Sequence, residues 1–164
     1  MLRLLACLAG LAVMAVPASA PAQPMLVYDG CSILSPCTPW VDHVMHVFSA
    51  RAGTGPVNDI HVCVYSSDGV PIEVVAISTP GCWEGDFEPG DNCIEYWTDG
   101  DPVDAGELCG PFDFVVPPGS CNIVVEWRFT YDGIAVTDWE TTTWSCVYTS
   151  VDARSWSSVK ALYR

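Results

Sequence analysis

Nine cysteines punctuate this chain, and their number and placement restrict its fold more than any other feature. Cys7 lies in the N-terminal segment MLRLLACLAGLAVMAVPASAPAQ, which has the layout of a secretory leader: Arg3 as a positive start, an apolar run from Leu4 to Val16, then small residues. The run is short for a bilayer span. Cleavage after Ala20 or after Ala22 satisfies the small-x-small rule, and Ala22 is favoured because the other frame leaves Pro21 directly after the cut. Leu4-Leu5-Ala6-Cys7 imitates a lipoprotein box but precedes most of the apolar run, which assigns Cys7 to the leader. With Cys7 removed, the even set Cys31, Cys37, Cys63, Cys82, Cys93, Cys109, Cys121 and Cys146 remains. In an exported chain that reads as a disulfide framework. There is no C-x-x-C pair, which argues against a zinc ribbon or a thioredoxin-like redox site.

Charge narrows the partners. The chain has 6 Lys+Arg against 20 Asp+Glu, and its formal net charge is −14. No Lys or Arg falls between Arg51 and Arg128. Such a stretch repels phosphate backbones and anionic lipid surfaces, so neither nucleic acid nor an acidic membrane is an expected partner. No second apolar span follows the leader, so no transmembrane anchor is expected in the mature chain.

After residues 1–22, a Pro-rich lead-in is read over 23–40, a β-sandwich domain over 41–150 and a tail over 151–164. Short β-prone runs at His43–Ala50, Asp59–Ser66, Ile72–Ser78, Cys93–Thr98, Phe112–Val116, Asn122–Tyr131 and Ile134–Tyr148 alternate with Gly, Pro, Asp and Asn turn signals. That spacing predicts an all-β, antiparallel, disulfide-stapled sandwich of immunoglobulin-like type. The clearest local signal is Tyr131-Asp132-Gly133-Ile134, a two-residue hairpin turn that needs positive φ. The strand before it puts Cys121, Ile123, Val125, Trp127, Phe129 and Tyr131 on one face. In simple register the returning strand would set Asp138 and Glu140 against that apolar face, a costly burial, so a bulge is expected near Thr137–Asp138. The same register brings Cys121 near Cys146. The expected pairs are therefore Cys121–Cys146, Cys82–Cys93 across the loop GCWEGDFEPGDNC, Cys31–Cys37, and Cys63–Cys109 by elimination, among many connectivities that sequence leaves open.

The run of GPVNDIHVCVY, PGCW and CIEYWTDGDPVDAGELCGPFDFVVP resembles bacterial exported sandwich modules of the immunoglobulin-like, fibronectin type III-like and CARDB-type cell-surface families. The match covers roughly residues 50–131. Asp104-Ala105-Gly106-Glu107 replaces the usual Pro-Gly turn, and no catalytic residue carries over. The resemblance implies a fold and a surface setting. In the tail, Trp156, Val159, Lys160 and Tyr163 have helical spacing, and the segment looks like recurrent C-terminal tails of exported bacterial proteins, a candidate sorting or assembly signal.

Several residues carry candidate chemistry. Asp99, Asp101 and Asp104 supply hard oxygen donors for calcium, although Val103 interrupts the pattern of an EF-hand loop. Trp83 between a cysteine and the carboxylates Glu84 and Asp86 is the expected exposed ligand-binding aromatic, suited to stacking on a sugar. His43, His46 and His61 are the only histidines; the first two point to opposite faces of a strand, so only one of them can meet His61. No G-x-S-x-G or H-E-x-x-H motif is present. The sequence thus points to a non-catalytic exported module for structure, adhesion or assembly, with a protein or glycan of the cell surface as partner. The alternative is carbohydrate binding assisted by calcium.

Overall fold

A computed structural model describes residues 22–34, 42–81, 83–98 and 100–146. Residues 1–21 of the leader, Cys37, Cys82, Asp99 and the tail with Trp156, Val159, Lys160 and Tyr163 lie outside the described residues. The described chain is all-β and antiparallel. Its strands are β1 (Met25–Ile33), β2 (Val44–Arg51), β3 (Asp59–Ser66), β4 (Ala76–Ser78), β5 (Glu84–Asp86), β6 (Cys93–Trp97), β7 (Leu108–Val116), β8 (Asn122–Tyr131), β9 (Ile134–Ala135) and β10 (Glu140–Ser145). They form two sheets, β1-β2-β7-β4 and β10-β8-β3-β6-β5, with β9 also paired to β8. Among the described residues, no helix is long and apolar enough to cross a membrane.

Alternation builds the core. Val44, Phe48 and Ala50 of β2 and Phe112, Phe114 and Val116 of β7 face inward from one sheet. They meet Ile60, Val62 and Val64 of β3, Tyr96 of β6, and Ile123, Val125, Trp127 and Phe129 of β8. Phe48 sits at the centre, stacked on Phe112 at 5.3 Å and edge-on to Tyr96 at 5.8 Å. Gly110 is required by the packing: a Cβ there would lie 2.6 Å from Ser49 Oγ. Ser49 falls where the β2–β7 register slips, between Phe48 and Ala50.

The hairpin turn forms as the sequence predicts, with Asp132 at φ 50° and Gly133 at φ 75°. The predicted irregularity follows it. Tyr131 pairs with Ile134 and Thr130 with Ala135, but Trp127 then pairs with Glu140, a slip of two residues. The amides of Val136 and Thr137 both donate to Phe129 O, and Thr137 Oγ1 accepts from Phe129 N at 3.0 Å. Asp138 leaves the ladder, and Trp144 arrives opposite Ile123 on the buried face. The single strand expected over Ile134–Tyr148 is therefore two short ones.

Other expectations are corrected. The segment read as a Pro-rich lead-in supplies β1, whose Met25–Ile33 pairs with the whole of β2 across a bulge between Tyr28 and Gly30. The disulfides also differ. Cys31 bonds Cys146, not Cys37, and ties β1 in one sheet to the end of β10 in the other. Cys146 N does donate to Cys121 O at 2.8 Å, so the two residues are neighbours as the register predicts, but the Cys146 sulfur is bonded across the sandwich. Cys93 bonds Cys63, not Cys82, because β3 and β6 set these residues directly opposite each other with Cα atoms 4.1 Å apart. Cys63 is thereby taken from Cys109, and Cys109 and Cys121 carry free, half-buried thiols.

Candidate functional site

The outer face of the larger sheet carries the site. Asp59, His61 and Cys63 point outward from β3, because Ile60, Val62 and Val64 between them are buried. Register then assembles a row across four strands. His61 stands opposite Arg128 of β8 on one side and Glu95 of β6 on the other, and Glu95 stands opposite Asp86 of β5. Above this row lies Trp139, carried by the segment that the β9–β10 slip throws off the ladder. Trp139 is 47% exposed. The Arg128 guanidinium sits 4.9 Å over its ring, and the His61 ring meets it edge-on at 6.4 Å. A cleft of about 430 Å³ opens beside it, lined by Asp86, Glu88, Asp91 and Glu95 together with His61 and Trp139. The Cys63–Cys93 disulfide also lines this cleft.

At one end of the row three side chains converge. His61 Nε2 lies 3.2 Å from Asp59 Oδ2 and 3.7 Å from Glu95 Oε1. Thr130 Oγ1 donates to Asp59 Oδ2 at 2.8 Å. Asp59 Oδ1 is buried without a hydrogen-bond partner. Burial pushes the Asp59 carboxyl up, but the hydrogen bonds from His61 and Thr130, with the nearby charges of His61 and Arg128, outweigh it. The group ends below its ordinary value and stays ionised.

The site expected from sequence is divided by the pleat. Trp83 is 7% exposed and packs edge-on against Phe112 at 5.2 Å. Gly85, two residues on, also faces inward: a Cβ there would meet Ile77 and Tyr96 side chains at 2.9 Å. Glu84 and Asp86 point to the opposite, exposed face, so Trp83 shares no site with them. Trp83 instead lines a second cleft of about 570 Å³ with Gly81, Asp101 and Cys109. Asp101 and Asp104 are exposed, and neither belongs to a group of three converging ligand side chains among the described residues.

His46 is a core residue and cannot meet His61. It is fully buried between Tyr28, Phe114 and Trp144. Its Nε2–H donates to Ser120 O at 2.9 Å, leaving Nδ1 to accept from the Tyr28 hydroxyl at 3.1 Å. Burial holds its pKa below the ordinary imidazole value, against the raising effect of the Ser120 carbonyl. Sequence reading missed the Asp59–His61–Glu95 group. The i, i+2 spacing of Asp59 and His61 was a usable signal for one face, but the third member needs the β3–β6 register.

Comparison with known proteins finds no family model that matches the chain and no matching curated protein.

Proposed function

We propose that the chain is a non-catalytic module of a bacterial cell surface or periplasm, exported after removal of its leader, that engages its partner through the cleft beside Trp139. The observation that carries this reading is the grouping of an exposed tryptophan, an imidazole and four carboxylates, two from the sheet face and two from the β5–β6 loop, around one cleft with a disulfide in its lining. A flat aromatic with a polar rim is what adhesive and binding surfaces use. Two groups argue against catalysis. The Asp59 carboxyl is held below its ordinary value, which makes it a poor general acid and a weak general base. Burial pushes the Cys109 thiol up, which weakens it as a nucleophile despite a backbone hydrogen bond at Gly110.

A second reading, carbohydrate binding, is favoured by the same tryptophan beside carboxylates, which stack on and hydrogen-bond a sugar ring. The test is binding of residues 23–164 to envelope preparations and to their isolated polysaccharide. Trp139→Ala should abolish retention on the envelope, and Asp104→Asn should leave it unchanged. Retention that survives Trp139→Ala would refute the assignment of this face. Binding to polysaccharide alone would select the carbohydrate reading.

A further inference from the structure

The convergence of Asp59, His61 and Glu95 reads as more than a surface ion pair. Zinc holds nitrogen and carboxylate ligands at about 2.0–2.2 Å, so two donors on one ion stand roughly 3.0–3.5 Å apart. The observed separations of 3.2 and 3.7 Å from His61 Nε2 nearly meet that before any ion draws them in. All three donor atoms lie within 4.8 Å of one another. The backbone fixes the arrangement: Asp59 and His61 share a face of β3, and Glu95 is the register partner of His61. Two further observations point to a ligand. Asp59 Oδ1 is buried and unpartnered, so the carboxylate whose Oδ2 faces His61 is left with an unsatisfied oxygen. Thr130 donates to Oδ2, the oxygen that faces His61, and so fixes that ligand atom as outer hydrogen bonds hold metal ligands in place.

We infer that Asp59, His61 and Glu95 form a site for a divalent transition metal of the zinc class. The two carboxylates would balance the charge of the ion, and the His61 imidazole would supply the nitrogen. Calcium is disfavoured, since it takes six or more oxygen ligands and this set has one nitrogen among three side chains. Three protein ligands on an outer face leave coordination positions open toward the cleft. Arg128 faces His61 from β8 and opposes a second positive charge, although its guanidinium is drawn over Trp139. It therefore limits affinity without blocking the site.

The inference stands apart from the adhesive reading, and its test involves no partner. Residues 23–164 are stripped with chelator, kept oxidised, and titrated calorimetrically with zinc chloride alone. One zinc per chain is expected, and copper(II), the strongest binder of the series, should quench the fluorescence of Trp139. Glu95→Gln alters an exposed residue and should weaken zinc by about tenfold or more; Arg128→Gln should tighten it. His61→Ala should abolish it, with circular dichroism checking the fold. No stoichiometric uptake would overturn the assignment. So would uptake that survives both Glu95→Gln and His61→Ala but is lost in a Cys109→Ser/Cys121→Ser variant, since the thiols would then be the ligands.

Discussion

Replacing Asp113 with Asn should stabilise this protein, by an amount that grows with pH. Asp113 points outward from β7 between Val47 of β2 and Ser78 of β4. Its carboxyl is pushed from 3.8 up to about 6, mainly by burial, with a hydrogen bond from Ser78 pulling the other way. A carboxyl whose pKa is raised in the folded state favours folding below its unfolded value and opposes folding as pH rises through the folded value. A rise of roughly two units, at about 1.4 kcal/mol per unit, amounts to about 3 kcal/mol lost once the group is ionised in both states. The same linkage gives about 0.5 kcal/mol at pH 4 and about 1.5 kcal/mol at pH 5. Asn keeps the shape and the Ser78 contact without the charge. Urea unfolding of both proteins at pH 4, 5 and 8 should therefore show curves that nearly coincide at pH 4 and separate steadily toward pH 8. A constant difference across this range, or a less stable variant at pH 8, would refute the argument.

His46 works in the opposite direction. Its folded pKa is depressed, so stability is intact above about pH 6.5 and falls as the unfolded chain takes up a proton below it; in His46→Gln that acid-side loss should be absent from thermal melts. Trp83→Ala removes a core ring from Phe112 and should cost about 3–5 kcal/mol in urea unfolding while leaving envelope retention intact under native conditions. Peptide mapping without reduction should recover Cys31 linked to Cys146 and Cys63 linked to Cys93; a Cys121–Cys146 peptide in their place would overturn the inter-sheet staple.

The parts of the fold legible in sequence are those set by neighbours along the chain. The alternation of β8 and the Asp132-Gly133 turn are local, and both appear as read. Even the bulge was legible, because burying Asp138 opposite Trp127 is costly whatever the rest of the molecule does; the slip takes Asp138 off the ladder, and Glu140 takes its place opposite Trp127 while staying exposed. What failed depends on partners far away. Whether Trp83 faces in or out is decided by the pairing of β5 with β6, which three residues of strand cannot announce. The loop from Cys82 to Cys93 looked self-closing, yet Gly81 and Trp83, the neighbours of Cys82, line a cleft with Cys109, while Cys93 is held by Cys63. β1 escaped notice because Asp29-Gly30 breaks its pattern at the bulge. The Asp59–His61–Glu95 group combines both cases: two members were readable as one face, and the third arrives only through register.

The bond between Cys31 and Cys146 has a mechanical meaning. It joins the first described strand to the residue after the last described one, with 115 residues of separation. Tension applied to the two ends of the chain passes through the sulfur bridge and bypasses the sheets. Pulled in an oxidising medium, the sandwich gives up only what lies outside the bridge. With this bridge and Cys63–Cys93 both reduced, about 115 further residues can unravel, roughly 400 Å of contour at about 3.5 Å per residue. A module that bears load between a cell and what it holds would then keep its cleft in shape under force and yield only when its surroundings turn reducing.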